Sequence, residues 1–138
     1  MLHTSTTLER AGIAIIGLHL LVGIIHSLAH SALQIFMAPW QNAYILLVIT
    51  VLPLVAAFLL WRRSRLGFLL LFISMLGSLI FGGYYHFVAP GPDNVSEFSR
   101  HAWTLPFQLS AVTLALLEAA GAAIGLAGLG RTGQYHPR

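Results

Sequence analysis

The stretch that decides how this chain reads is residues 17–34, GLHLLVGIIHSLAHSALQ. It is apolar enough to cross a membrane, yet it carries three histidines. On a helix, residues 3, 4, 7 or 11 apart share a face. Gly12, His19, Gly23, His26, His30 and Gln34 fall within one stripe roughly 80° wide, at about 100° per residue. The rest of the turn is Ile, Leu and Val. One helix therefore has a lipid-compatible side and a narrow seam of small and imidazole residues, and the rest of the chain must supply what that seam faces.

Composition agrees with a membrane setting. Of 138 residues, 57% are hydrophobic and only 8% charged, against roughly 25% charged in a soluble domain. The length allows one domain, taken as residues 1–138. The formal charge of +3 comes from seven arginines at segment ends and in loops, where topology is set. No basic face suits nucleic acid. The absence of cysteine excludes disulfides, thiolate metal sites and iron–sulfur clusters. The absence of lysine excludes a Schiff base to retinal or pyridoxal phosphate. The first apolar run is too long for a cleaved signal peptide, so it is expected to be retained.

The fold class expected is an all-α membrane protein, a four-transmembrane-helix bundle with helices at about 8–37, 43–61, 66–88 and 104–129. Pro39 falls in the first break, with Trp40 and Tyr44 suited to the headgroup level. Pro53 predicts a kink in the second helix. Arg62, Arg63 and Arg65 mark a cytoplasmic loop, which puts both termini in the cytoplasm and the loops at 38–42 and 89–104 outside. Ser74, Gly77, Ser78, Gly82 and Gly83 read as close-packing positions of the third helix, and Gly121 and Gly125 as the same in the fourth. Asn94 and Glu97 have the spacing of a capping box, which predicts a short interfacial helix near 95–102. Residues 130–138 read as a mobile polar tail.

A rise of about 1.5 Å per residue places the polar residues in depth. His19 and Glu118 both come roughly 13–17 Å from the cytoplasmic side, near the midplane. His30, His86 and Gln108 come to roughly 28–30 Å, with His26 one turn below His30. Asp93, Glu97 and His101 are expected at the outer mouth. Two histidines four apart aim at one point, the spacing of helical metal sites, and His86 completes three nitrogens. Such ligands suit zinc, copper, iron or nickel. Alternatively, His30 and His86 face each other as axial ligands of haem b. A buried Glu–His pair suits proton transfer, and a carboxylate within a span is a functional hypothesis by default. The plainer alternative is that these histidines are interhelical hydrogen-bond partners, worth about 0.6 kcal/mol each.

Small four-helix b-type cytochromes resemble this chain in general layout only, so no residue roles are carried over from them. Three functions stay open at this point. One is a membrane protein holding a transition metal or haem through His26, His30 and His86 for redox chemistry or metal handling. The others are a non-catalytic subunit of a larger complex or homo-oligomer, and a proton-coupled carrier using His19 and Glu118.

Overall fold

The computed structural model describes residues 2–97 and 101–132. Among them there are helices and no strand. Four helices are long and apolar enough to cross a membrane: α1 (Leu2–Ala32), α2 (Pro39–Trp61), α3 (Arg65–Phe87) and α4 (Thr104–Thr132). Their outward faces carry exposed Leu21, Ile24, Leu46, Leu47, Ile80 and Leu116. Water would make that surface costly and hydrocarbon makes it neutral. The chain is a multi-pass membrane protein by this criterion.

Helix ends depart from the sequence expectation for local reasons. The first helix stops at Ala32, five residues before the expected end at Met37. Gln34 takes a left-handed backbone (φ 55°), so its N–H returns to the Ser31 carbonyl at 3.2 Å and that of Ile35 to His30 at 2.9 Å. This is a Schellman closure with glutamine where glycine is usual. It removes Gln34 from the histidine stripe and buries Ile35 beside Ala29 and Phe107. Arg63 (φ 57°) ends α2 by the same device.

Helix α2 begins at Pro39 rather than near residue 43. Proline suits a first turn because its missing N–H would have no partner there. Trp40 is therefore inside the helix. Instead of a kink taken up at Pro53 alone, α2 runs as a π-helix over Ile45–Val51. Pro53 has no N–H for the Ile49 carbonyl. The wider turn re-pairs its neighbours: the Leu52 N–H reaches Leu47, and the Thr50 hydroxyl donates to Ile45 at 3.1 Å.

Helix α4 continues to Thr132, past the expected end near 129. The remainder of the expected tail, 133–138, lies outside the described residues. So do residues 98–100, the middle of the expected interfacial helix. Its expected start does not form a capping box. Asn94 Oδ1 accepts from the Ser96 N–H at 3.0 Å, and Glu97 Oε2 accepts from the Gly91 N–H at 3.2 Å.

Packing divides the molecule lengthwise. Toward the end bearing Arg62 and Arg63, Ile16, Ala56, Leu60, Phe68, Leu71, Met75 and Ala122 form one buried cluster. A Cβ on Gly67 would stand 2.7 Å from the Leu60 backbone nitrogen, and one on Gly125 2.7 Å from that of Phe72. Glycine at these points lets α3 meet α2 and α4 at backbone distance. Helix α1 packs on α4 and, toward the Arg62 end, on the Leu52–Trp61 half of α2, but toward the other end it diverges from residues 39–51. The divergence opens a cavity.

Candidate metal centre

Helix geometry puts His26 and His30 one turn apart on α1, and the last turn of α3 brings His86 to them. His26 Nε2 stands 3.0 Å from His30 Nε2 and 3.2 Å from His86 Nε2. One nitrogen from each ring lies within 4.8 Å of the others. Phe107, wholly buried, stacks under His26 with centroids 5.0 Å apart. The rings cannot drop away from one another on that side.

The far nitrogens decide where the protons are. The Ser110 hydroxyl donates to the Phe107 carbonyl at 2.9 Å. Its oxygen is therefore the acceptor for His26 Nδ1–H at 2.9 Å. His86 Nδ1–H donates to the Asp93 carbonyl at 3.0 Å. In neutral imidazoles a proton on Nδ1 leaves Nε2 a bare lone pair. With both rings neutral and protonated on Nδ1, His26 and His86 present two lone pairs to each other at 3.2 Å. A proton on His30 Nε2 can serve the His26–His30 contact, but it leaves this second one unfilled.

A negative charge stands over the same group. Asp93 Oδ1 is 3.1 Å from His86 Nδ1 and 3.2 Å from His30 Nε2. These are ion-pair distances without hydrogen-bond angles, and both buried carboxylate oxygens lack a hydrogen-bond donor among the described residues. The expected mouth residue is thus part of the site. Its loop is tied down around it. The Val95 N–H donates to His86 at 3.0 Å, and Asn94 Nδ2 to Ala89 at 2.9 Å. Gly91 supplies a turn with φ 142°. Gln108, expected at the histidine level, donates to the Val95 carbonyl at 2.7 Å and acts as a loop anchor. Glu97 and His101 are exposed and bonded locally, the latter accepting from the Trp103 N–H at 3.2 Å.

Deeper along the helices, His19 Nε2 meets Glu118 Oε1 at 3.1 Å, with both side chains buried. His19 Nδ1 has no partner among the described residues. This pair is not separate from the triad. A Cβ on Gly82 would stand 4.0 Å from both Glu118 Oε2 and His86 Nε2. Gly82 therefore leaves a gap between the carboxylate and the imidazoles. It was expected as a close-packing position, and so was Gly83, but nothing lies within 4 Å of a Cβ at Gly83. Both groups open onto one cavity of about 950 Å³, which all four helices line.

Ser110, Phe107 and the opening role of Gly82 escaped sequence reasoning. Ser110 reads as an ordinary polar residue in a span. Only its helical offset from Phe107, three residues, hinted that the two share a face. Comparisons of the chain with protein families, curated proteins and solved structures return no match.

Proposed function

We propose that the protein is a four-span membrane bundle that holds one transition metal ion, zinc, copper or iron, through His26, His30 and His86. The basic loop with Arg62 and Arg63 faces the cytoplasm with both termini. The metal then sits in the outer half of the membrane, where it serves redox chemistry or metal handling.

The observation that carries this is the convergence of three imidazole nitrogens within 4.8 Å of one another, beside a buried carboxylate that has no hydrogen-bond donor among the described residues. A cation at the Nε2 edge takes a lone pair from each ring and gives Asp93 a counter-charge. Metal-bound histidines almost always donate their other N–H to a fixed oxygen, as His26 and His86 do here. Two nitrogens bound at about 2.0–2.1 Å stand no more than about 4.2 Å apart. The widest pair, within 4.8 Å, closes onto the ion by side-chain rotation. Three ligands leave a position open to the cavity, the pattern of reactive sites.

The geometry favours an ion over haem b. His26 lies between the other two rings, its centroid 4.6 Å from that of His30 and 4.8 Å from that of His86. A porphyrin between His30 and His86 would need that space.

Elemental analysis and an absorption spectrum of detergent-purified protein test the proposal. One metal per chain is expected, with no Soret band, and His86→Ala should release it. A Soret band lost in His86→Ala would select haem. Metal-free protein after metal-replete, anaerobic purification would overturn the proposal.

A further inference from the structure

The cavity is larger than a metal ion and its bound water require. At about 950 Å³ it lies at the upper end of the roughly 300–1,000 Å³ typical of small-molecule sites. Its walls are Leu20, Gly23 and Ile24 of α1, Ile45 and Ile49 of α2, and Leu114 of α4. Ile24 also lies on the membrane-facing surface of α1, 60% exposed, so the space opens sideways where α1 and α2 diverge. Membrane lipids, not water, meet that opening.

The polar end is equally specific. Glu118 Oε1 is engaged by His19, which leaves Oε2 facing the gap over Gly82 with His86 Nε2 on the far side. A head group placed there meets a carboxylate oxygen on one side and the bound ion's open position on the other. It needs a lone pair for the ion and a proton for the carboxylate. A hydroxyl supplies both from one oxygen. A carbonyl lacks the proton, an acidic head meets Glu118 with like charge, and an ammonium meets the ion with like charge.

Resting on the metal site proposed above, we infer that the crevice binds a membrane-soluble hydroxyl compound, its head over Gly82 between Glu118 and the ion and its chain between α1 and α2. Long-chain alcohols and alkyl quinols share this chemistry. Glu118 accepts the hydroxyl hydrogen bond, and His19 holds the carboxylate in place.

Cobalt(II), whose visible bands report its coordination, tests the inference in nanodisc-embedded full-length protein. The wild type should take up one Co(II) per chain, and its bands should shift saturably with dodecanol or a decyl hydroquinone but not with dodecane. A response to only one hydroxyl probe identifies the head-group class. Ile49→Trp fills the crevice from α2, a helix that contributes no ligand. It should keep one Co(II) per chain and respond at least tenfold more weakly. Glu118→Gln should keep Co(II) and lose affinity for the probe. Bands indifferent to every hydroxyl probe, or an unchanged response in Ile49→Trp, would overturn the inference while leaving the metal site standing. Failure to bind Co(II) at all would bring down both.

Discussion

The two halves of this molecule use the same helices and the same small residues for opposite ends. Near the basic loop, glycine removes a Cβ so that backbones can touch. Gly67 meets α2 and Gly125 meets α3 at 2.7 Å from a would-be Cβ, around a core with Leu71 and Met75 wholly buried. In the histidine half, Gly23 and Gly83 have nothing within 4 Å of a Cβ, and Gly82 nothing nearer than 3.6 Å. There glycine makes room. Without a hydrophobic force between helices in lipid, close contact of small residues is the main source of cohesion. Cohesion is concentrated in one half, and the polar site occupies the half that lacks it.

Changes in the two halves should therefore have separable effects. His26 touches both other imidazoles, so His26→Ala should have the largest consequence for the metal. Affinity should fall by more than the ~100-fold upper end for losing an outer partner, measured by competition with a chelator, while thermal unfolding of the metal-free protein barely moves. Gly125→Val should do the reverse. Its side chain meets the Phe72 backbone nitrogen and the Phe68 carbonyl, neither of which can rotate away. A loss of about 1–3 kcal/mol in unfolding free energy is expected from overpacking, with metal stoichiometry retained in the folded fraction. If Gly125→Val empties the site at temperatures where the protein is folded, the halves are coupled and the division fails.

Most of the fold was legible because its signals are periodic and local. Four apolar runs, the basic loop and the HxxxH face survive without knowledge of how helices pair. Depth counting also placed His19 with Glu118, and His86 with His26 and His30, because the rise per residue is nearly constant. What was illegible depends on rotation and on loops. Counting cannot say which way Ser110 points, so the partner of His26 was missed. Asp93 was assigned to the mouth because the chain after α3 was taken as rim, whereas the Gly91 turn folds it back over His86. Gly82 was misread because spacing shows that a residue is small, not whether the neighbouring helix arrives.

Ser110 gives an intermediate case. Ser110→Ala removes the acceptor for His26 Nδ1–H and leaves it buried. The proton is then free to shift to Nε2, where it blocks ligation. Metal affinity should drop about 10–100-fold and Ser110→Thr should recover most of it. A loss of stability with unchanged affinity would mean that the bond serves packing alone.

The smallest effect belongs to the boundary of the histidine half. Gln34 holds a left-handed conformation that costs a residue with a Cβ roughly 1–2 kcal/mol. Glycine would remove that strain but give back about 0.4–1 kcal/mol through the freer unfolded chain. Gln34→Gly should therefore stabilise the protein by about 0.5–1 kcal/mol in chemical unfolding. The Schellman bonds to Ser31 and His30 would remain, so the metal site should be untouched. A destabilised variant would mean that the Gln34 side chain supplies something glycine cannot. Altered metal affinity would mean that the end of α1 sets the position of His30, and that the site depends on its boundary as much as on its neighbours across the seam.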